Sequence, residues 1–330
     1  MYFIVTTPET WIVIIASLVY FGRLQKYTRV DKKRFKLLYS KQDDPLTLLI
    51  RNREFISKYN QKILFPIVNK FTLKEQFEEW RVPSPELLGI ISDENDLPQL
   101  MSRLASEEIF VKGFVIKPSQ SFGGRGILVV KERDLNNNFH IGNEIYHPIA
   151  LEKHVRSVIQ GEFMTSNTGS DNDLVIIEEL VNCYNELQKI SYGLPDIRII
   201  VFRGIPIMAM ARLPTSESGG KANLKQGAIG AGIDIITGKF FQAQYKGNSV
   251  IKHPDTGNKI VGFQFDSELW KEILSVSCLA QKSTGLGYAG VDIVIDSLNQ
   301  RVLVLEVNKR PGLEIQNINN ASLLNRFKLT

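Results

Sequence analysis

Three oxygen-bearing side chains near the end of the chain have the types and the spacing to hold a hard metal ion. In "VLVLEVN", residues 302–308, Glu306 and Asn308 lie two apart at the end of an apolar run. Side chains of a strand alternate, so both share one face with Val302 and Val304, while Leu303, Leu305 and Val307 take the other. In "GVDIVID", residues 290–296, Asp292 is an acid inside a β-branched run. If the two strands pair, one Asp, one Glu and one Asn oxygen converge. An oxygen-only cluster suits Mg2+, which keeps some waters and takes phosphate oxygens as further ligands. "KRPG" follows at once and sets Arg310 and a Pro-Gly turn beside the cluster. The plain alternative is a solvated strand end whose acids coincide by chance.

A second stretch asks for an anion. "KPSQSFGGRGI", residues 117–127, lies between the apolar runs "FVI" and "LVV". Gly123, Gly124 and Gly126 permit positive φ and close backbone approach, so N–H groups can gather on a phosphate. Lys117 emerges from the preceding strand onto that loop. The GK[ST] ending of a Walker A loop is absent, and a strand rather than a helix follows, which argues against a Rossmann fingerprint. The stretch reads as a flap between antiparallel strands that folds over phosphates. Alone it is equally an ordinary hairpin; with a metal cluster downstream it is strong.

The elements that must carry these residues follow from periodicity. Residues 44–90 read as helices closed by Pro83 and Pro85, with Leu73, Gln76, Phe77 and Trp80 at helical spacing, after which "VPSPELLGI" resumes as extended chain. Strand, glycine loop and strand occupy 111–131. Residues 132–173, with "NNN" and "TSNTGSDND", predict a polar surface excursion. "LVIIEEL", 174–180, is a buried strand ending in two carboxylates. "IRIIVFRGIPIMAMAR", 197–212, alternates on both sides of Arg203-Gly204 and predicts a hairpin. Leu269, Ile273, Val276 and Ala280 share one helical face. Strands and helices are mixed, not strictly alternating, which argues for α+β layers over a doubly wound parallel sheet.

The 330 residues suffice for two or three packed subdomains, and a hydrophobic content of 43% is that of an ordinary globular protein. Cys183 and Cys278 form neither a disulfide framework nor a zinc site, and read as reduced core thiols of a cytosolic protein. Net charge is +5, but residues 21–37 hold seven basic residues against Asp31, which leaves the rest near neutral. A nucleic-acid binder spreads its basic charge over the folded domain, so nucleic acid is not expected as a partner. The basic run follows the apolar "WIVIIASLVYFG", 11–22, which as a helix spans about 18 Å against a ~30 Å hydrocarbon core. That segment either docks on the protein's own core or contacts a membrane or membrane protein through residues 1–40. The localisation expected is cytoplasmic, membrane-associated if that contact is made.

The blocks "KPSQSFGGRGI", "IIEELV", "PDIRIIVFRGIPIMAMARLP", "GKANLKQGA", "GLGYAGVDIVID" and "LEVNKRPGL", in that order, resemble the ATP-grasp superfamily, and within it the alpha-L-glutamate ligase-like, RimK-related branch. The resemblance runs from about residue 46 to about residue 327. It implies an α+β ATP-grasp fold, two α+β subdomains clamping ATP, preceded by a short helical N-terminal region. The divisions expected are 1–45, 46–110 (mainly helical), 111–182 (flap and adenine hinge) and 183–330 (Mg2+ and substrate site). By motif, Lys70 and Lys117 contact the ATP phosphates, with Gly123, Gly124 and Gly126 in the flap. Glu178 and Glu179 stand in the adenine hinge, Glu178 taking the exocyclic amine, and Leu180 or Val181 offers backbone groups. Asp292, Glu306 and Asn308 match the metal ligands. Arg198, Arg212 and Asn223 fall where the substrate carboxylate and the transferred phosphoryl group are held. Asn69 stands where the family usually has an acid, Phe122 where it has smaller residues, and Lys225 where it has His.

The activity implied is that of an ATP- and Mg2+-dependent carboxylate–amine ligase (with Mn2+ as substitute metal) working through an acyl phosphate. It would join glutamate or another amino acid to an amine or peptide acceptor. Two anions must meet in such a reaction, and the metal with Lys117, Arg198 and Arg212 offsets their repulsion. Glu314 is a weak candidate for the base. The alternatives are a phosphotransferase that stops at phosphoryl transfer and a nucleotide-binding module whose chemistry has lapsed. Fold and nucleotide site do not specify which acid or amine is joined.

Overall fold

The structure, a computed structural model, describes residues 46–60, 69–121, 123–142, 144–164 and 172–327. The apolar-basic segment and Phe122 lie outside these residues. Two antiparallel sheets carry the fold. The first is built from β1 (Leu87–Ile91), β2 (Phe114–Pro118), β3 (Leu128–Arg133), β4 (Phe139–Ile141), β5 (Glu144–Tyr146) and β6 (Val175–Glu179), in the order β1-β6-β2-β3-β4-β5. The second contains β7 (Asp196–Phe202), β8 (Ile205–Leu213), β9 (Ile229–Ile233), β10 (Phe240–Tyr245), β11 (Asn248–Val250), β12 (Tyr288–Ile295) and β13 (Val302–Asn308), ordered β11-β10-β9-β8-β7-β12-β13.

Helices cover the sheets where their apolar faces require it. Helix α1 (Lys70–Glu79) is capped by Asn69, whose side-chain oxygen accepts from the Phe71 N–H at 2.8 Å. Helix α2 (Leu97–Ser106) and helix α3 (Pro148–Ile159) pack Leu100, Leu104, Leu151 and Val155 against Ile116, Val130 and Ile177 of the first sheet. The expected surface excursion over 132–173 is therefore corrected in part: it contains β4, β5 and α3. Leu151, Val155, Val158 and Ile159 have helical spacing there, but the Asn-rich flanks mask it. Helix α4 (Ser267–Ser283) buries Leu269, Ile273, Val276 and Ala280 on the second sheet, on the face expected. A helical run, Leu48–Ile50 continuing through a π-helical stretch Arg51–Ile56 into Ser57–Tyr59, packs on the other face of that sheet, with α5 (Glu314–Asn319) beside it.

Alternation along β7 divides the second sheet cleanly. Ile197, Ile199 and Val201 point into the α4 core, and Ile200 and Phe202 into the opposite one. Asp196 and Arg198 share the parity of Ile200, so that second face is apolar at one end and charged at the other. Cys183 and Cys278 are both free thiols packed against the α4 core, and burial pushes the Cys183 thiol up to about 11. Among the described residues no helix is long and apolar enough to cross a membrane.

Candidate active site

The convergence of Asp292, Glu306 and Asn308 depends on one irregularity. β12 and β13 pair antiparallel with Asp292 opposite Glu306 and Gly290 opposite Asn308, but the register slips by one residue between Asp292 and Ile293. The extra residue is Leu305, a β-bulge. Below it Val302 and Val304 point into the α4 core, and above it Val307 does. Glu306 and Asn308 are thus turned to the opposite face, the one that carries Asp292 and Arg198. This corrects the strict alternation read from the sequence: the acid and the amide do face the same way, but without Val302 and Val304. A bulge flips every side chain beyond it, and an unbroken period of two would have driven Glu306 into the hydrophobic core.

Asp292 is the centre of the cluster. It is 3% exposed, and β7 sets Arg198 directly across from it. Arg198 forks onto it, Nε to Oδ1 at 2.7 Å and Nη2 to Oδ2 at 2.6 Å. Arg212, on β8, donates to Asp292 Oδ2 at 2.9 Å and forks onto Asp196, with Nε to Oδ1 at 2.5 Å. The Asn308 amide donates to Asp292 Oδ2 at 3.2 Å, leaving its own oxygen as an acceptor. Burial opposes charge on Asp292, but the pull of Arg198 and Arg212 outweighs it and holds the carboxyl below the usual range. Burial pushes Asp196 up to about 6 against the pull of Arg212, and the Asp292 charge adds to the rise.

Glu306 is in a different position. Among the described residues nothing donates to its carboxylate or pairs with it. Burial first, and then the facing Asp292 charge, push its carboxyl above the ordinary value. A desolvated acid without a partner, opposite a second acid, is the environment that a divalent cation reverses. The set offers two carboxylates and an amide oxygen, all hard donors suited to Mg2+. Among the described residues no group of three or more His, Cys, Asp or Glu is placed to hold a metal.

Lysines approach from β2 of the first sheet and from α1, whose Leu73 and Phe77 pack into the core of the second. Lys117, at the end of β2, contacts one oxygen of Glu178, and Lys74 pairs with the other at 3.1 Å. Burial opposes charge on Glu178, yet the two ammonium groups hold its carboxyl below the usual range. One carboxylate cannot compensate two buried cations, and burial lowers Lys74 in spite of the pair. The Lys70 ammonium donates to the Pro118 carbonyl at 3.1 Å and the Ser121 carbonyl at 2.5 Å; burial lowers it, and its charge is felt by both Glu306 and Lys117. In the flap, Cβ atoms at Gly123 and Gly124 would meet nothing within 4 Å, whereas one at Gly126 would come within 2.6 Å of the Phe163 ring. The flap's base is close-packed and its tip open.

The other expected residues are placed as follows. Glu178 faces the two lysines, so its carboxylate is engaged by cations. Glu179 accepts from the Glu86 N–H at 2.9 Å and from Arg301 at 3.0 Å. Leu180 and Val181 lie past the ladder that β6 forms with its neighbours. Asn223 uses its side-chain oxygen to cap the turn Leu224–Gln226, at 3.0 Å from the Lys225 N–H, and is not joined to the arginine cluster. Glu314 opens α5 and is exposed. Two members were missed by the sequence reading, Asp196 and Lys74. Both had a signal: Asp196 shares strand parity with Arg198, and Lys74 lies one helical turn beyond Lys70.

The family model for sugar-transfer associated ATP-grasp proteins matches residues 50–330. The chain belongs to that family. Its fold is accordingly the two-lobed ATP-grasp, one sheet and its helices to each lobe. No curated protein matches the chain in sequence. Among solved structures it is similar to D-alanyl-alanine synthetase A from Vibrio cholerae, with a TM-score of 0.47 and 9% identity over 79% of this chain and 62% of that one. The D-alanine-D-alanine ligase from Coxiella burnetii gives 0.45 and 13%, over 79% and 55%. The ATP-grasp ligase PsnB, complexed with a minimal precursor, gives 0.41 and 16%, over 79% and 57%. This ATP-grasp chain spans little more than half the length of the first solved structures it matches.

Proposed function

We propose that the protein is an ATP- and Mg2+-dependent carboxylate–amine ligase. The observation that carries the reading is the charged row Asp196–Arg212–Asp292–Arg198 with Glu306, unpaired among the described residues, at its end and near the Lys70, Lys74 and Lys117 group. In the reaction proposed, a carboxylate oxygen of the acid attacks the γ-phosphorus of ATP and ADP leaves. The amine nitrogen then attacks the carbonyl carbon of the acyl phosphate, inorganic phosphate leaves, and the nitrogen's surplus proton passes to solvent. Mg2+ held by Asp292, Glu306 and Asn308 supplies charge neutralisation for the phosphate oxygens. Lys70 and Lys117 bind the phosphates, Lys117 exchanging its Glu178 partner for them. Arg198 and Arg212 hold the acid's carboxylate, whose repulsion from ATP is the barrier to be lowered. The Gly123–Gly124 tip closes over the nucleotide and keeps water from the acyl phosphate.

The resemblance of the motif blocks to the alpha-L-glutamate ligase-like branch favours glutamate or another amino acid as one reactant, and a peptide or small amine as the other. The family's association with sugar transfer extends the reactants to amino sugars and sugar acids. ADP release across a panel of acids and amines decides the matter, with Asp292→Ala as control. Release that needs both an acid and an amine, and is lost in the variant, is expected. Release that ignores the amine makes the protein a kinase. Nucleotide binding without release under any pair makes it a binding module. We also read residues 1–40 as a contact to a membrane or membrane protein of a cytoplasmic enzyme. Their deletion is expected to move the protein from the membrane fraction to the soluble one, and unchanged fractionation overturns that contact.

A further inference from the structure

The helical run before α1 is tied to the turn that follows β13. Asn60, 3% exposed, donates from Nδ2 to the Tyr288 carbonyl at 2.8 Å and to the Lys309 carbonyl at 3.3 Å. Its Oδ1 accepts from the Tyr288 N–H at 3.0 Å. Arg51, 7% exposed, donates from Nη1 to the Pro311 carbonyl at 2.7 Å. The rest of its fork is held by Asn52 Oδ1, at 3.2 Å from Nε and 2.9 Å from Nη2. The carbonyls on either side of Arg310 are therefore both clamped by residues from the start of the described chain. Pro311 also sits flush on Gly290, the cross-strand partner of Asn308: a Cβ there would lie 2.6 Å from Pro311 Cβ.

This clamp answers a mechanical need. β13 is the edge strand of its sheet, so no ladder supports its outer side as the chain leaves it. Asn308 is its last residue, and Arg310, which makes no ion pair among the described residues, is two further on. A metal donor must be held to within about 0.5 Å to be useful. Two hydrogen bonds, from the Asn60 amide and the Arg51 guanidinium, hold the carbonyls of that turn, and a third ties Asn60 to Tyr288 of β12.

We propose that Arg51 and Asn60 are positioning residues of the active site, clamping the Lys309–Pro311 turn so that Asn308 and Arg310 are held toward a metal–nucleotide. Its turnover arm rests on the ligase reading; its binding arm does not. Partners outside a metal's own ligands are worth about 10–100-fold in metal affinity, and these act one step further out. About tenfold is expected for each.

The test is Mn2+ binding to the full-length protein, read by electron paramagnetic resonance with a non-hydrolysable ATP analogue. Wild type is compared with Asn60→Asp, Arg51→Met and Arg51→Lys, with thermal unfolding followed in parallel. Asn60→Asp keeps the shape and the acceptor but loses both donors. Arg51→Met keeps the apolar stem, and Arg51→Lys returns one donor. The expected result is a Kd for Mn2+ about tenfold weaker in Asn60→Asp and Arg51→Met, partly recovered in Arg51→Lys, and the same order in the Mn2+ dependence of ADP release. Folded variants that bind Mn2+ like wild type overturn the clamp. If Asn60→Asp fails to fold, the two Arg51 variants decide. A wild type that binds Mn2+ and nucleotide yet releases no ADP overturns the ligase reading and leaves the clamp to be judged by the binding data. A wild type that binds no Mn2+ overturns the clamp.

Discussion

Glu306→Gln is expected to lower ADP release by about 10^3-fold or more while making the unliganded protein more stable. In the ligase proposed, the loss of activity follows from removing one of the two carboxylates that would hold the Mg2+ offsetting phosphate charge, an effect worth several kcal/mol in the transition state. The gain in stability follows from the surroundings of Glu306: it is desolvated, unpaired among the described residues and opposite Asp292. Glu306 is half-buried, so replacing its charge with a neutral isostere relieves about 1 kcal/mol at most. The sign with pH is fixed by linkage. A carboxyl whose folded value is raised binds its proton more tightly in the native state, so native stability falls as pH climbs from the free value through the folded one. The advantage of Glu306→Gln should therefore be present at neutral pH and vanish in acid, where both side chains are uncharged.

Asp292→Asn is the matched comparison. It should lose turnover to the same extent but cost about 3 kcal/mol of stability, because Arg198 and Arg212 are left buried against a neutral amide. Urea unfolding of both variants at two pH values, beside ADP release, separates the two cases. A Glu306→Gln protein that is less stable than wild type at neutral pH would show that the charge is satisfied in the free enzyme.

Arg212→Lys is expected to be almost as damaging, with turnover down about 10^2-fold and stability down by about 3 kcal/mol. Arg212 serves two buried carboxylates at once, with its Nε–Nη2 edge on Asp196 and Nη2 shared with Asp292. An ammonium is a point charge without that fork and cannot bridge both. Breaking a buried pair leaves its partner charged and uncompensated, at about 3–5 kcal/mol. Asp196, already pushed up to about 6 by burial, would rise further once the guanidinium is gone and take up a proton near neutral pH. Stability of Arg212→Lys should then fall as pH rises through that range more steeply than in wild type. Adding Asp196→Asn should recover much of the stability by removing the stranded charge, but little of the turnover, since the hold on the substrate carboxylate proposed for Arg212 would still be lost. A double-mutant cycle in both readouts is the measurement. Equal recovery of stability and turnover would place Arg212 outside the chemistry.

The candidate site was legible wherever its signal is local. Lys117 with its glycine flap, and an acid and an amide two apart on a strand, are patterns within ten residues. Their chemistry, cations for phosphate and oxygens for a hard ion, follows from the residue types. The face of α4 is equally local, because helical spacing decides which residues pack. Lys74 and Asp196 were readable by the same periodicities but draw no notice until their partners are known. Asn60 and Arg51 carry no local signal: the groups they hold lie 249 and 260 residues away.

By itself, then, the sequence determined the face of α4 and offered the oxygen donors and Lys117 as candidates, since each rests on alternation or turn chemistry within one element. Tertiary structure decided which strand neighbours which, and with it the ion-pair row from Asp196 to Asp292. It also decided the bulge at Leu305. Strand parity counts residues along one chain, but register is set by the neighbouring strand. A one-residue slip against β12, invisible in the run "VLVLEVN", turns Glu306 and Asn308 out of the core and onto the face where Asp292 and Arg198 already stand.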